Sequence, residues 1–217
     1  MFEEHIERIQ KYLKLHYDSK IVVDGIIGQQ TRSILGAFLK SQFNRRNWSE
    51  FDNGKQIIWL RYDKSYNNKF NDYCILLYNG VIRVVFRATT TPGNFWIYNP
   101  VTVGGITGVA CLCEQQVINS HVWVEKDDWS TLWLKTPYAA HKKSVSIYRD
   151  GNKDSVFDRN LITIGKPSSG INMHQMGAGT VNWNWSAGCL GTSREDWLKI
   201  TARYDNGDLI TLNLIEL

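Results

Sequence analysis

The sequence lacks a long apolar run, a dense pattern of cysteines and a strong excess of charge. No stretch approaches the roughly 18 apolar residues that a membrane helix requires, so we expect no membrane insertion. Four cysteines in 217 residues do not form the disulfide framework of a small secreted domain. The formal net charge is +4, with Lys and Arg interleaved among Asp and Glu, which excludes the basic stripe typical of nucleic-acid binding.

The N-terminal segment also lacks the basic and apolar regions of a secretory signal peptide. Met1-Phe2-Glu3-Glu4 opens directly into an amphipathic pattern. We therefore expect synthesis in the cytoplasm without a signal peptide. A protein made in this way reaches an extracytoplasmic substrate only after release or export.

The composition is typical of a folded protein with one large domain, or one small and one medium domain. Hydrophobic residues make up 43% of the chain and charged residues 21%. Nine Trp and ten Tyr are many for this length. Such side chains line glycan or peptide grooves in some proteins and fill β-rich cores in others, and the composition alone leaves both interpretations open.

The first forty residues predict two helices joined by a glycine turn. Apolar side chains recur at helical spacing in residues 6–13 and again in residues 34–39. Asp24-Gly25-Ile26-Ile27-Gly28 lies between them, and its two glycines adopt positive φ at little cost. Thr31 is placed to cap the second helix.

The order of these segments resembles a peptidoglycan-binding module. In that family a helix with a Q-x-x-L pattern precedes D-G-x-x-G-x-x-T and a final A-x-F. The matching segments here are residues 10–13, 24–31 and 37–38, the last without the intervening residue. The resemblance implies a wall-binding domain at residues 1–41 whose partner is bacterial peptidoglycan. The alternative is a helical cap that buttresses a larger domain.

The rest of the chain is predicted to be a linker followed by a β-rich domain. Residues 42–55 are polar and turn-rich, which indicates the linker. Within residues 56–217, strands are predicted at 57–60, 74–78, 81–86, 109–112, 122–124, 132–134, 145–148 and 209–215. Asn79-Gly80 indicates a hairpin, and Ser193 can cap a helix over 193–202. The expected architecture is a mainly β sandwich or partly open barrel beside a small all-α N-terminal domain.

Candidate chemistry is concentrated in residues 171–192. Cys189 lies between glycines at 188 and 191, which let the backbone turn sharply and direct N–H groups at one point, as an oxyanion hole requires. A free thiol is only a few per cent ionised at neutral pH, so a nucleophilic cysteine needs a base. His174, fifteen positions upstream, is the nearest candidate along the chain. Residue types alone leave a buried packing cysteine as the alternative.

This pattern of a histidine, a loop and S-x-G-C resembles the L,D-transpeptidase catalytic domain. In that family the cysteine thiolate attacks the carbonyl of the third stem-peptide residue and forms a thioester. The resemblance implies that Cys189 is the nucleophile and His174 the base. It also implies that Ser186, Ala187, Gly188 and the Cys189 amide shape the pocket, and that a main-chain carbonyl orients the histidine.

Two departures from the family pattern affect which reaction is expected. The family commonly carries S-H-G-C with a polar or basic residue after it, whereas this chain has Ala187 and then Leu190-Gly191. Segments 148–154, 170–174 and 185–189 resemble a divergent branch found in phage-associated lysins, and phage endolysins also join a binding module to a catalytic domain. We therefore expect a peptidoglycan hydrolase of the L,D-carboxypeptidase or endopeptidase type. An L,D-transpeptidase that forms crosslinks and a non-catalytic wall-binding protein are the alternatives.

A calcium loop is the second motif that the sequence suggests. Its candidate ligands alternate as calcium ligands do: Asp150, Asn152, Asp154 and Asp158. The glycine expected at the sixth position is Ser155, and the glutamate expected at the twelfth is absent. A solvated turn rich in Asn and Asp is therefore favoured over a structural calcium site.

The remaining candidates concern the substrate groove and the rival enzyme class. His121 and Trp185 are hypothesised to line the groove, whereas His141 is expected to be solvated. A zinc hydrolase would need a spacing such as H-x-x-x-H or C-x-x-C, and the sequence has neither. We expect no cofactor, no nucleic-acid partner and a monomer.

Overall fold

The computed structural model describes residues 2–62, 69–100, 102–103, 106–125, 137–150, 152, 154, 157, 163–165, 171–177, 181 and 183–217. The helices are α1 (Phe2–His16), α2 (Gln29–Arg45), α3 (Asn94–Tyr98) and α4 (Arg194–Thr201). The first strands are β1 (Lys55–Arg61), β2 (Asp72–Tyr78), β3 (Val81–Thr89), β4 (Thr102–Val103), β5 (Ile106–Thr107) and β6 (Val109–Leu112). The later strands are β7 (Gln115–Val124), β8 (Tyr138–His141), β9 (Val145–Asp150), β10 (Thr163–Gly165), β11 (Met173–Gln175), β12 (Leu190–Thr192) and β13 (Leu209–Glu216).

A closed barrel is the main feature of the described chain. Its strand order is β1-β13-β7-β8-β11-β12-β3-β2. Two neighbouring pairs are parallel, β1 with β13 and β11 with β12, and the other barrel pairs are antiparallel. A mainly β domain was predicted and is confirmed. The expected sandwich or partly open barrel is instead a closed barrel, because the last strand lies beside β1 in parallel.

Local signals in the sequence produced several of these elements. Asn79 and Gly80 both have positive φ, 49° and 74°, as a tight turn between β2 and β3 requires. Ser193 accepts a hydrogen bond from the Asp196 amide at 3.2 Å, which caps α4 as predicted. Helix α3 was not predicted, and the strand predicted at 132–134 lies outside the described residues.

The two N-terminal helices pack against the outside of the barrel. Apolar side chains from α1 and α2 share one buried cluster with side chains of β1, β2, β3 and β13. A hydrogen bond also joins α1 to the barrel: the Tyr73 hydroxyl of β2 donates to the main-chain oxygen of His5 at 2.8 Å. Helix α2 continues to Arg45, so the first residues of the predicted linker are helical. The assignment of residues 1–41 as a separate wall-binding domain stays a prediction. In the structure the two helices share a core with the barrel.

The residues of the N-terminal motif form one polar network around the buried side chain of Gln10. The Gln10 side-chain amide donates to the Asp24 carboxylate at 2.8 Å and to the Thr31 hydroxyl at 3.0 Å. Its carbonyl oxygen accepts from the Gly25 amide at 2.9 Å. Thr31 was expected to cap α2, but the helix begins at Gln29, and the Thr31 hydroxyl bridges Gln10 and the Ile26 carbonyl instead. The network fixes the glycine turn onto α1.

Within the described residues, no helix is long and apolar enough to cross a membrane.

Candidate active site

Two short parallel strands bring Cys189 and His174 together. β11 pairs with β12 so that Met173 lies beside Leu190 and His174 beside Gly191. Cys189 is the residue immediately before β12. Neighbouring strands lie about 4.8 Å apart and alternate residues about 6.7 Å along a strand, so this diagonal separates the Cα atoms by about 8 Å. The register places both residues on the same face of adjacent strands, and an aromatic side chain such as that of His174 extends across a diagonal of this length.

Gly191 permits this close approach of the strands. A Cβ at position 191 would lie 2.4 Å from the main-chain oxygen of His174 and 2.4 Å from the Met176 side chain. The pairing of β11 with β12 therefore needs a residue without a side chain beside His174.

The Cys189 sulfur accepts a hydrogen bond from the strand end opposite. The main-chain amide of Asn172, one residue before β11, donates to Sγ at 3.3 Å. In return, the Leu190 amide donates to the Asn172 carbonyl at 3.0 Å. Asn172 was not among the residues predicted from the sequence, because a main-chain contact leaves no signature in the residue type.

Ser186 and Gly188 shape the loop that carries the thiol. The Ser186 hydroxyl donates to the Cys189 carbonyl at 2.9 Å and accepts from the Gly188 amide at 3.0 Å. Gly188 has a φ of 148°, and a Cβ there would lie 2.8 Å from the Ala110 carbonyl oxygen. The Gly188 amide is thus used inside the loop, where it sets the turn. This is consistent with the predicted shaping role and makes it a poor oxyanion donor.

Helix α3 and β6 hold the same loop from the other side. The Gly93 amide, at the start of α3, donates to the Ser186 carbonyl at 2.8 Å. The Ala110 amide of β6 donates to the Ala187 carbonyl at 3.1 Å. The Trp96 indole donates to the Asn184 carbonyl at 2.7 Å. These hydrogen bonds to the carbonyls of residues 184, 186 and 187 hold the segment that leads to Cys189.

The tautomer of His174 follows from its hydrogen bond. Nδ1 lies 2.6 Å from the main-chain oxygen of Gln175. A carbonyl oxygen can only accept, so Nδ1 carries the proton. In a neutral ring Nε2 is then the basic nitrogen. A main-chain carbonyl therefore orients the histidine, as the family resemblance implied.

Burial sets the protonation state of both groups. It raises the pKa of the Cys189 thiol to about 11, and the Asn172 amide opposes this by favouring the thiolate. Burial also lowers the pKa of His174, while its contact with the Gln175 carbonyl acts in the opposite direction. At neutral pH the resting pair is therefore a thiol and a neutral imidazole. A base that takes the proton during attack suits this state.

The hypothesised groove residues occupy other environments. His121 is fully buried, with Nε2 3.0 Å from the Ile171 carbonyl, so it does not line an open groove as hypothesised. It shares the inward face of β7 with Trp123 because side chains alternate along a strand. His141 was expected to be solvated and is also buried, with its ring 5.3 Å from that of His121. Trp185 is partly exposed and lies against Gly177, where a Cβ would approach its indole nitrogen to 2.4 Å.

Metal sites are not evident in the described part of the chain. No group of three His, Cys, Asp or Glu side chains there is arranged to hold an ion. Of the calcium-loop candidates, Asn152 and Asp154 bond to each other, since the Asp154 amide donates to the Asn152 side-chain oxygen at 3.2 Å. This is the geometry of an Asx turn. Asp150 is buried at the end of β9, and Asp158 lies outside the described residues.

Comparison with known proteins yields only distant structural similarity. No family model and no curated protein matches the sequence. An L,D-transpeptidase from Xylanimonas cellulosilytica aligns with a TM-score of 0.38 and 12% identity, covering 91% of this chain and 74% of that one. An L,D-transpeptidase from Stackebrandtia nassauensis gives 0.35 and 11%, covering 99% and 90%. L,D-transpeptidase 1 of Mycobacterium tuberculosis gives 0.28 and 13%, covering 74% and 62%. Similarity this distant carries no argument about activity, which has to come from the site itself.

Proposed function

We propose that this protein is a cysteine peptidase that cleaves L,D bonds in the stem peptides of bacterial peptidoglycan. The observation that carries the proposal is the pairing of β11 with β12, which sets a partly exposed cysteine diagonally beside a histidine oriented by a main-chain carbonyl. These are the parts of a thiol nucleophile and its base. The S-x-G-C pattern around Cys189 directs the proposal to stem peptides.

The first half of the reaction forms a thioester. His174 Nε2 takes the proton from the Cys189 thiol as sulfur attacks the carbonyl carbon of the third stem residue. A carbon–sulfur bond forms, and collapse of the tetrahedral intermediate breaks the amide carbon–nitrogen bond. The imidazolium returns its proton to the departing amine, which leaves as D-alanine or as the amine of a neighbouring stem.

The second half reverses these roles with water. Neutral His174 takes a proton from water as its oxygen attacks the thioester carbon. The carbon–sulfur bond breaks, the carboxylic acid product leaves, and Cys189 recovers its proton from the imidazolium. Attack by an amine of a second stem in place of water would yield a crosslink. We favour water because Ala187 replaces the histidine common in S-H-G-C, as in the lysin-like branch that the sequence resembles.

The helical region is proposed to bind the wall. The Gln10 network joins Asp24, Gly25 and Thr31, three of the four defined residues of the D-G-x-x-G-x-x-T pattern, into one turn. The partner would be bacterial peptidoglycan, and the place of action would be the cell wall after release or export from the cytoplasm. Binding of sacculi by a Cys189→Ala variant would support this role independently of catalysis.

Digestion of purified sacculi tests the catalytic proposal. Wild type and Cys189→Ala are incubated with sacculi, and the released muropeptides are resolved by mass. Loss of terminal D-alanine or of crosslinked dimers with wild type alone is the expected result. New crosslinks or amino-acid exchange would assign the transpeptidase instead. If both proteins bind sacculi and neither changes them, the catalytic proposal fails and a wall-binding protein remains.

A further inference from the structure

Asn172 lies between Cys189 and a strand that carries none of the proposed catalytic residues. Its main-chain amide donates to Cys189 Sγ at 3.3 Å, and its carbonyl accepts from the Leu190 amide at 3.0 Å. Its side-chain oxygen accepts from the main-chain amide of His141 at 2.9 Å. Three hydrogen bonds thus tie one residue to the sulfur, to β12 and to the end of β8.

The side-chain bond extends the strand pairing beyond its regular end. β8 and β11 pair through Met173 and Ala139. Asn172 precedes β11 and His141 is the last residue of β8, so the side chain of Asn172 supplies an acceptor where the ladder stops. A buried main-chain amide without an acceptor is costly, which gives this bond a role in holding the strand end.

We propose that Asn172 is a positioning residue for the nucleophile: its side-chain oxygen, bonded to the His141 amide, fixes the strand end so that its own main-chain N–H donates to the Cys189 sulfur and stabilises the thiolate. The inference rests on the proposed function only in naming Cys189 the nucleophile. Hydrogen bonds to an ionised acceptor are shorter and stronger than neutral ones, so the N–H favours the charged form of the thiol. In agreement with this, the hydrogen bond from the Asn172 amide acts to lower the pKa of Cys189, against the effect of burial.

Other titratable groups lie on the strands around this contact. Within the described part of the chain, the titratable groups of β7, β8, β11 and β12 are His121, Tyr138, His141 and His174, and Lys142 and Lys143 follow β8. Burial lowers the pKa of all three histidines, so their rings are neutral at pH 7 and above and their charge does not change there. Tyr138 and the two lysines are the same in wild type and variant, so the difference between the two alkylation profiles reports on the Asn172 contact.

Alkylation kinetics test the inference without any peptidoglycan. The rate of modification by iodoacetamide is followed from pH 7 to 11 by the mass of the peptide that contains Cys189, in wild type and in Asn172→Leu, which keeps the volume and removes the acceptor. We expect the apparent pKa of the Cys189 thiol to rise by about half a unit to one unit. Alkylation near pH 8 is then about three to ten times slower.

A matched control separates positioning from general loss of stability. Gln115 accepts from the Ser146 amide at 2.9 Å and donates to the Ser146 carbonyl at 2.7 Å, which is also a side-chain clamp between strands but does not touch Cys189. Gln115→Ala is expected to lower stability and leave the alkylation profile unchanged. If Asn172→Leu does not fold, Asn172→Ser also removes the acceptor from reach without added bulk. A folded Asn172 variant with the wild-type alkylation profile would overturn the inference, whether or not the protein cleaves peptidoglycan.

Discussion

The Gln175 carbonyl accepts a hydrogen bond from His174 Nδ1 at 2.6 Å, and the two groups belong to adjacent residues of one strand. The bond fixes the tautomer because the carbonyl cannot donate. It leaves Nε2 as the nitrogen without a proton, and no carboxylate is needed to set this tautomer. The histidine is thus oriented by its own strand, and in the proposed reaction Nε2 is the nitrogen that takes the proton of Cys189.

The pH dependence of activity should follow the lowered pKa of His174. Burial favours the neutral imidazole, so the base stays competent until the pH falls below its ordinary value of 6.5. We expect kcat/KM to be level near neutrality and to fall only below about pH 6.5. Release of D-alanine from a soluble tetrapeptide muropeptide, measured from pH 4 to 9, checks this. An acid limb centred above pH 7 would contradict the assignment.

Gly191→Ala should lower the free energy of unfolding, whereas Gly36→Ala should raise it. A Cβ at 191 would meet the His174 carbonyl at 2.4 Å, so the strands must separate, which we expect to cost about 1–3 kcal/mol of unfolding free energy and most of the activity. Gly36 lies inside α2, where a Cβ meets its nearest neighbour, Ile82, at 4.0 Å. Gly36→Ala should stabilise by about 0.5–1 kcal/mol. Urea unfolding with a cleavage assay measures both, and equal effects of the two substitutions would contradict the prediction.

The Gln10 side chain should contribute strongly to stability. It is fully buried and bonds to both sides of the glycine turn. Gln10→Ala would leave the buried Gly25 amide without its acceptor and a cavity in place of the buried side chain, at a cost of about 2 kcal/mol or more. Lys11→Ala is the control, because Lys11 makes only an exposed ion pair with Glu7, and its loss should change stability by less than about 0.5 kcal/mol. Chemical unfolding of both variants settles the comparison.

Acid should destabilise the fold through the buried His121. Burial lowers its pKa from 6.5 to about 3, so between these values the unfolded chain binds a proton that the folded chain does not. The stability associated with the neutral ring is fully present above pH 6.5 and is lost as the pH falls toward 3. His121→Gln keeps a donor for the Ile171 carbonyl and removes this titration. Unfolding free energies at pH 7, 5 and 4 should therefore fall less steeply in the variant, and an unchanged slope would argue against the prediction.

Local sequence patterns predicted the elements that local chemistry determines. The Asn79-Gly80 turn and the Ser193 cap are examples, since one dipeptide or one side chain decides each. The neighbourhood of His174 and Cys189 followed from the motif and from the loop length between them. Closure of the barrel could not be predicted in this way, because the parallel pairing of β1 with β13 joins the first and last strands, which are about 150 residues apart in the sequence. His141 was wrongly expected to be solvated since Lys142-Lys143 follow it, although β8 carries its ring inward.

Trapping of the thioester tests the central claim most directly. The protein is mixed in excess with a tetrapeptide muropeptide, quenched in acid over a series of times, digested and analysed by mass. The account predicts that the peptide with Cys189 transiently gains the mass of the muropeptide less D-alanine, that hydroxylamine removes it, and that Cys189→Ala forms neither adduct nor product. Product formed by Cys189→Ala at the wild-type rate, or an adduct on another residue, would contradict the account.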